Sequence, residues 1–144
     1  MASREEVIVA GQVWESPTIT VDGRGFPLVV TRYRGAVTHS DFERHLRVMS
    51  SSMRIGQKTA VILDTTEGAA RSAESMKALR DWLDRERELM RTQVIGLALV
   101  IPSAAVRFLL TKMMLVVEMP YPYEVVDSYT AGLAYARKQL ALMA

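Results

Sequence analysis

The 144-residue chain contains no cysteine. That absence excludes a disulfide framework, a thiolate zinc site, an iron–sulfur cluster and a cysteine nucleophile. Histidine is nearly as scarce. His39 and His45 are six positions apart, whereas a helical zinc pair stands four apart on one face. No metal and no cofactor are therefore expected. The one glycine-rich turn, Asp22-Gly23-Arg24-Gly25, lacks the Walker lysine and the three-glycine dinucleotide spacing, and reads as a hairpin turn. Neither sign of charge dominates, since 18 Lys+Arg against 16 Asp+Glu leave a net +2. The cations are interleaved with acids, as in Asp81, Arg85, Glu88 and Arg91, rather than clustered as a phosphate-tracking surface requires. Nucleic acid is not an expected partner. Long apolar runs are missing as well: the most apolar stretch, Ala104 to Met119, is cut by Arg107, Lys112 and Glu118. It is too short and too charged for a membrane span. Arg4, Glu5 and Glu6 precede any apolar run, unlike a secretion signal. A cytoplasmic protein is expected.

What is present is the composition of one globular domain, with 49% hydrophobic and 24% charged residues. At this length folding removes roughly 70% of the unfolded surface from water, so residues 1–144 are read as a single domain. Val7 to Val13, Thr18 to Val21 and Phe26 to Arg34 read as strands; Ile19 and Val21 alternate with Thr18 and Thr20 at period two. Asp22 to Gly25 joins the last two as an antiparallel hairpin, its glycines tolerating positive φ. After Gly35 the period changes. Phe42, Leu46, Met49 and Met53 form one helical stripe behind a capping box from Ser40 to Glu43. Thr59 to Asp64 is a buried strand, followed by a loop from Thr65 to Arg71.

A second helix runs from Ser72 past Met90, with Met76, Leu79, Leu83 and Met90 inward and salt links expected for Arg80–Asp84 and Asp81–Arg85. Val94 to Ile101 is a strand and Ala104 to about Val117 a third helix. Pro120 and Pro122 break it. Tyr123 to Val126 and Tyr129 to about Leu142 supply the last strand and the fourth helix, capped by Asp127 or Ser128. The fold class is α/β, a largely parallel sheet with an N-terminal antiparallel hairpin and four helices. The expected core gathers Val29, Val61, Leu63, Leu79, Leu97, Leu99 and Leu133.

Ligands of open α/β sheets sit beyond the carboxyl ends of the strands. Here that places His39, Asp64 and Arg71 in strand-end loops, where His39 and Asp64 could form a general acid–base pair if the two loops are neighbours. The commoner role of polar residues at helix starts is capping. His45, inside the inward stripe, reads as a hydrogen-bonded histidine at the core edge. The third helix is apolar nearly all round, so Phe108, Met113, Met114, Val117 and Met119 are candidates for a partner or ligand surface as well as for core filling.

Taken in order, Tyr33-Arg34-Gly35 with Thr38-His39-Ser40-Asp41, Ala60-Val61-Ile62-Leu63-Asp64 before a long charged helix, Gly96-Leu97-Ala98-Leu99-Val100, and the late Ala131 and Ala134 carry a resemblance. Over about residues 26–142 the chain resembles the STAS group, the fold of bacterial anti-sigma-factor antagonists, especially its branch likened to CRAL-TRIO lipid-transfer domains. Antagonists of this fold carry an Asp-Ser-Ser-Gly-like motif whose serine a kinase phosphorylates. The aligned stretch is Arg71-Ser72-Ala73-Glu74-Ser75, which makes Ser72 the candidate phosphoacceptor, without the preceding aspartate and following glycine. The resemblance implies binding rather than catalysis. The leading expectation is thus a non-enzymatic regulatory or scaffold module that binds a protein partner and self-associates. The second is a carrier of an apolar small molecule or lipid, and the third a small enzyme using His39 and Asp64.

Overall fold

The computed structural model describes residues 10–69, 72–115 and 118–143. Val7, Ile8 and Val9 of the expected first strand, together with Arg71 and Val117, lie outside them; of the rest of that run only Val13 is in a strand. Six strands form one sheet in sequence order: β1 (Val13–Glu15), β2 (Ile19–Asp22), β3 (Leu28–Gly35), β4 (Thr59–Gly68), β5 (Val94–Val100) and β6 (Tyr123–Val126). The β1–β2 and β2–β3 pairs are antiparallel, and β3 to β6 are parallel. The helices are α1 (His39–Arg54), α2 (Ala73–Arg85), α3 (Arg87–Gln93), α4 (Ala104–Met114) and α5 (Tyr129–Ala141). Among the described residues no helix is long and apolar enough to cross a membrane.

The pleat sorts the strand residues between two helix layers. Val29, Leu63, Ile19, Val21 and Tyr33 face α1, α2 and α3, where Phe42, Leu46, Trp82, Leu83 and Met90 are buried. Val30, Ala60, Ile62, Ala98 and Val100 face α5. Alpha5 comes close because Gly132 is bare: a Cβ there would lie 3.1 Å from Val100 Cγ2 and 3.4 Å from Ile62 Cγ2. Leu97 and Leu99, expected in the core, are only half-buried. They share a pleat with Val61 and Leu63, and the buried cluster on that face is gathered around α1, α2 and α3.

Five helices replace the expected four, because the long second helix divides at Glu86. Its backbone leaves helical geometry (φ −104°, ψ 15°), and its buried carboxylate turns to α1. There Glu86 Oε1 lies 2.6 Å from Arg54 Nη2 and accepts from Ser50 Oγ at 3.3 Å. Ser50 Oγ in turn accepts from the Trp82 indole at 2.7 Å. The expected salt links also give way. Asp81 pairs with Lys77 at 3.1 Å and Asp84 with Arg87 at 3.2 Å.

Local chemistry moves other boundaries. The cap of α1 is Thr38, whose hydroxyl accepts from Asp41 N at 3.1 Å, not Ser40. Gly56, at φ +88°, ends the helix and donates to Met53 O. Beta4 runs on through Thr65 to Gly68 instead of becoming a loop, because past a register shift it pairs with Arg34 and Gly35 of β3. The hairpin glycines Gly23 and Gly25 do not adopt positive φ. That turn is closed by Phe26 N to Gly23 O and Leu28 N to Gly25 O, with a cis Phe26–Pro27 peptide.

Candidate functional site

Three places hold the residues singled out from the sequence. The first joins the starts of α1 and α2. His39, the first residue of α1, has Nε2 2.7 Å from Glu43 Oε1, one turn on, and 3.1 Å from Glu74 Oε1 in the first turn of α2. Two residues before Glu74, the exposed Ser72 caps α2, its hydroxyl accepting from Ser75 N at 3.1 Å. This end of the molecule therefore carries an accessible serine hydroxyl on a helix N-terminus, where an added negative charge is favoured by the dipole.

Asp64 lies elsewhere. As an even-numbered residue of β4 it follows Ala60 and Ile62 toward the α5 face. It accepts from Thr66 N at 2.9 Å and from the Thr66 hydroxyl. Its other oxygen stands 3.9 Å from Arg32 Nε, and the Arg32 guanidinium lies over the Tyr129 ring at 5.1 Å. His39 and Asp64 thus have separate partners on different helix layers, and the loop pairing that an acid–base couple required is not formed. No group of three or more His, Asp or Glu among the described residues is placed to hold a metal ion. His45 is buried beside Tyr33 and Phe42, with ring centroids 6.2 and 6.0 Å away.

The third place is α4. Its inward stripe is Arg107, Leu110 and Met114, at three- and four-residue spacing. Arg107 spends its guanidinium on the carbonyls of Ile101 and Pro102, at 2.8 and 2.7 Å. That polar anchor turns the apolar remainder outward. Phe108 and Leu109 are each 61% exposed, Leu115 80% and Val106 49%. Of the residues expected on this surface, Phe108 is outward, with Lys112 over its ring at 4.5 Å. Met114 and Met119 are half-buried. Val117 and the Met113 side chain lie outside what is described. Val106, Leu109 and Leu115 join Phe108 on the exposed side, and the row of Arg107 marks the inner face.

No family model matches the chain. No curated protein matches it either. Among solved structures it is similar to an uncharacterized protein of the DUF3478 family from Shewanella loihica PV-4, described as having a SpoIIAA-like fold. The TM-score is 0.59 at 11% sequence identity, over 87% of this chain and 90% of that one. The fold is SpoIIAA-like. The mixed sheet with its leading antiparallel hairpin is the STAS-like architecture expected from the sequence. On this SpoIIAA-like frame Ser72 stands at the start of α2 as its cap, the position at which the resemblance placed a phosphoacceptor.

Proposed function

We propose that this chain is a non-enzymatic regulatory or scaffold module that binds protein through the outer face of α4 and self-associates there. The observation that carries the reading is the exposure of Val106, Phe108 and Leu109 on one helix and of Leu115 just past its end. Scattered apolar residues are ordinary on a surface, whereas several large ones side by side mark an interaction site. The helix is held at its base by the Arg107 hydrogen bonds, so the apolar face is presented on a fixed element. The separate partners of His39 and Asp64 support the non-catalytic side of the proposal. Carriage of an apolar molecule has less support, since the groove between α1 and α2 is lined by charged side chains such as Arg47, Asp81 and Arg85.

Sedimentation velocity over a wide concentration range tests the reading. The unmodified chain is expected to self-associate as concentration rises. The double variant Phe108→Asp, Leu109→Asp is expected to sediment as a monomer with unchanged circular dichroism. A monomer at every concentration for the unmodified chain contradicts the proposal.

A further inference from the structure

Alpha1 and α2 pack side by side over the sheet and leave between them a groove of about 800 Å³. That size lies within the range of small-molecule sites. Its floor is apolar and partly aromatic, formed by Leu46, Ala78 and Trp82. The indole is fixed there by its hydrogen bond to Ser50, so the floor is rigid.

The charges on the walls are unequal in what they have left to give. Each acid in the groove already has a partner within this chain: Glu43 meets the His39 imidazole at 2.7 Å, Asp81 meets Lys77 at 3.1 Å and Glu86 meets Arg54 at 2.6 Å. Arg47 of α1 and Arg85 of α2 line the same groove, and neither has an ion pair or a hydrogen bond from its side chain among the described residues. The sequence had suggested Asp81 for Arg85, but Asp81 is taken by Lys77. Two uncommitted guanidinia therefore stand on facing helices above an aromatic floor.

We propose that the α1–α2 groove binds a small organic phosphate monoester. Such a group carries about −1.5 to −2 charge at neutral pH, matching two arginines, and its oxygens suit the planar guanidinium fork. The organic body rests on Trp82, Ala78 and Leu46. The site is separate from the α4 face, and its occupancy does not depend on self-association.

Isothermal titration calorimetry with the full chain tests this, using phenyl phosphate, inorganic phosphate, phenylacetate and phenol as probes. Phenyl phosphate is expected to bind most tightly, inorganic phosphate more weakly for want of the ring, and phenol not measurably. Arg47→Ala and Arg85→Ala are each expected to weaken phenyl phosphate by about tenfold or more, whereas Arg137→Ala, exposed on α5, leaves it unchanged. Both arginines are exposed, so the variants are expected to keep the unmodified circular dichroism and melting temperature. No binding of phenyl phosphate, equal binding by the Arg47→Ala, Arg85→Ala double variant, or tighter binding of phenylacetate would overturn the proposal.

Discussion

The Asp41 carboxylate accepts two hydrogen bonds from a single residue, Thr18, from its backbone N–H at 3.1 Å and its hydroxyl at 2.6 Å. This ties the first turn of α1 to the chain entering β2, 23 residues earlier. Burial acts to raise the Asp41 carboxyl. Hydrogen bonds from Thr18 and Ser16, with the nearby charge of Arg44, outweigh it and hold the group below its ordinary value. A depressed carboxylate contributes stability that is complete above its unfolded-state pKa, about 4, and is lost as pH falls through the lower folded value. Asp41→Ala is expected to cost about 1.5–3 kcal/mol at neutral pH, the range for hydrogen bonds to a charged group. Urea melts from neutral pH down to pH 3 check it: the gap to the unmodified chain is expected to be constant above about pH 4 and to narrow below.

Ser50 links two buried groups, accepting from the Trp82 indole and donating to Glu86. Ser50→Ala leaves the indole N–H without that acceptor. The expected loss is about 1–3 kcal/mol, read by chemical denaturation. A loss near zero would show that the division of α2 from α3 is held by something other than this network.

Gly132 allows α5 to lie against β4 and β5. Gly132→Val forces its branches onto Val100, Ile62 and Ala98 and is expected to destabilise by about 1–3 kcal/mol through overpacking. Gly132→Ala tests the contact more gently, since the alanine gains helix propensity of about 1 kcal/mol against a 3.1 Å approach. Thermal melts of the two variants are expected to differ, with valine far lower.

The succession of strands and helices along the chain was largely legible in the sequence because buried strands and the α1 stripe have different periods. The cap Ser72 was legible because serine before a helix has a local reason to be there, and the same reasoning narrowed the cap of α5 to Asp127 or Ser128, of which the structure uses Ser128. Three features were not. Thr38 rather than Ser40 caps α1; each stands three residues before an acid, Asp41 or Glu43, so the capping pattern alone does not choose between them. The break at Glu86 is hidden by Leu83 and Met90, whose seven-residue spacing continues a helical stripe across it. The half-buried placement of Met114 goes with Arg107 facing the carbonyls after β5, a contact that apolarity alone does not reveal.

Ser72 as a cap makes a graded expectation. Ser72→Ala is expected to cost about 1 kcal/mol by loss of its bond to Ser75 N, while Ser72→Asp, which still caps, costs little. Thermal or urea melts of both variants measure this. A regulatory serine requires in addition that the two substitutions shift self-association in opposite directions, and equal association by both leaves Ser72 a cap alone.

The central claim is that the outer face of α4 docks protein, a second copy of this chain included. Hydrogen–deuterium exchange of the unmodified chain at low and high concentration tests it most directly. The account predicts that exchange across residues 104–115 slows as concentration rises while α1 and α5 exchange at unchanged rates. Concentration-independent exchange in α4, or protection arising on another face, would contradict it.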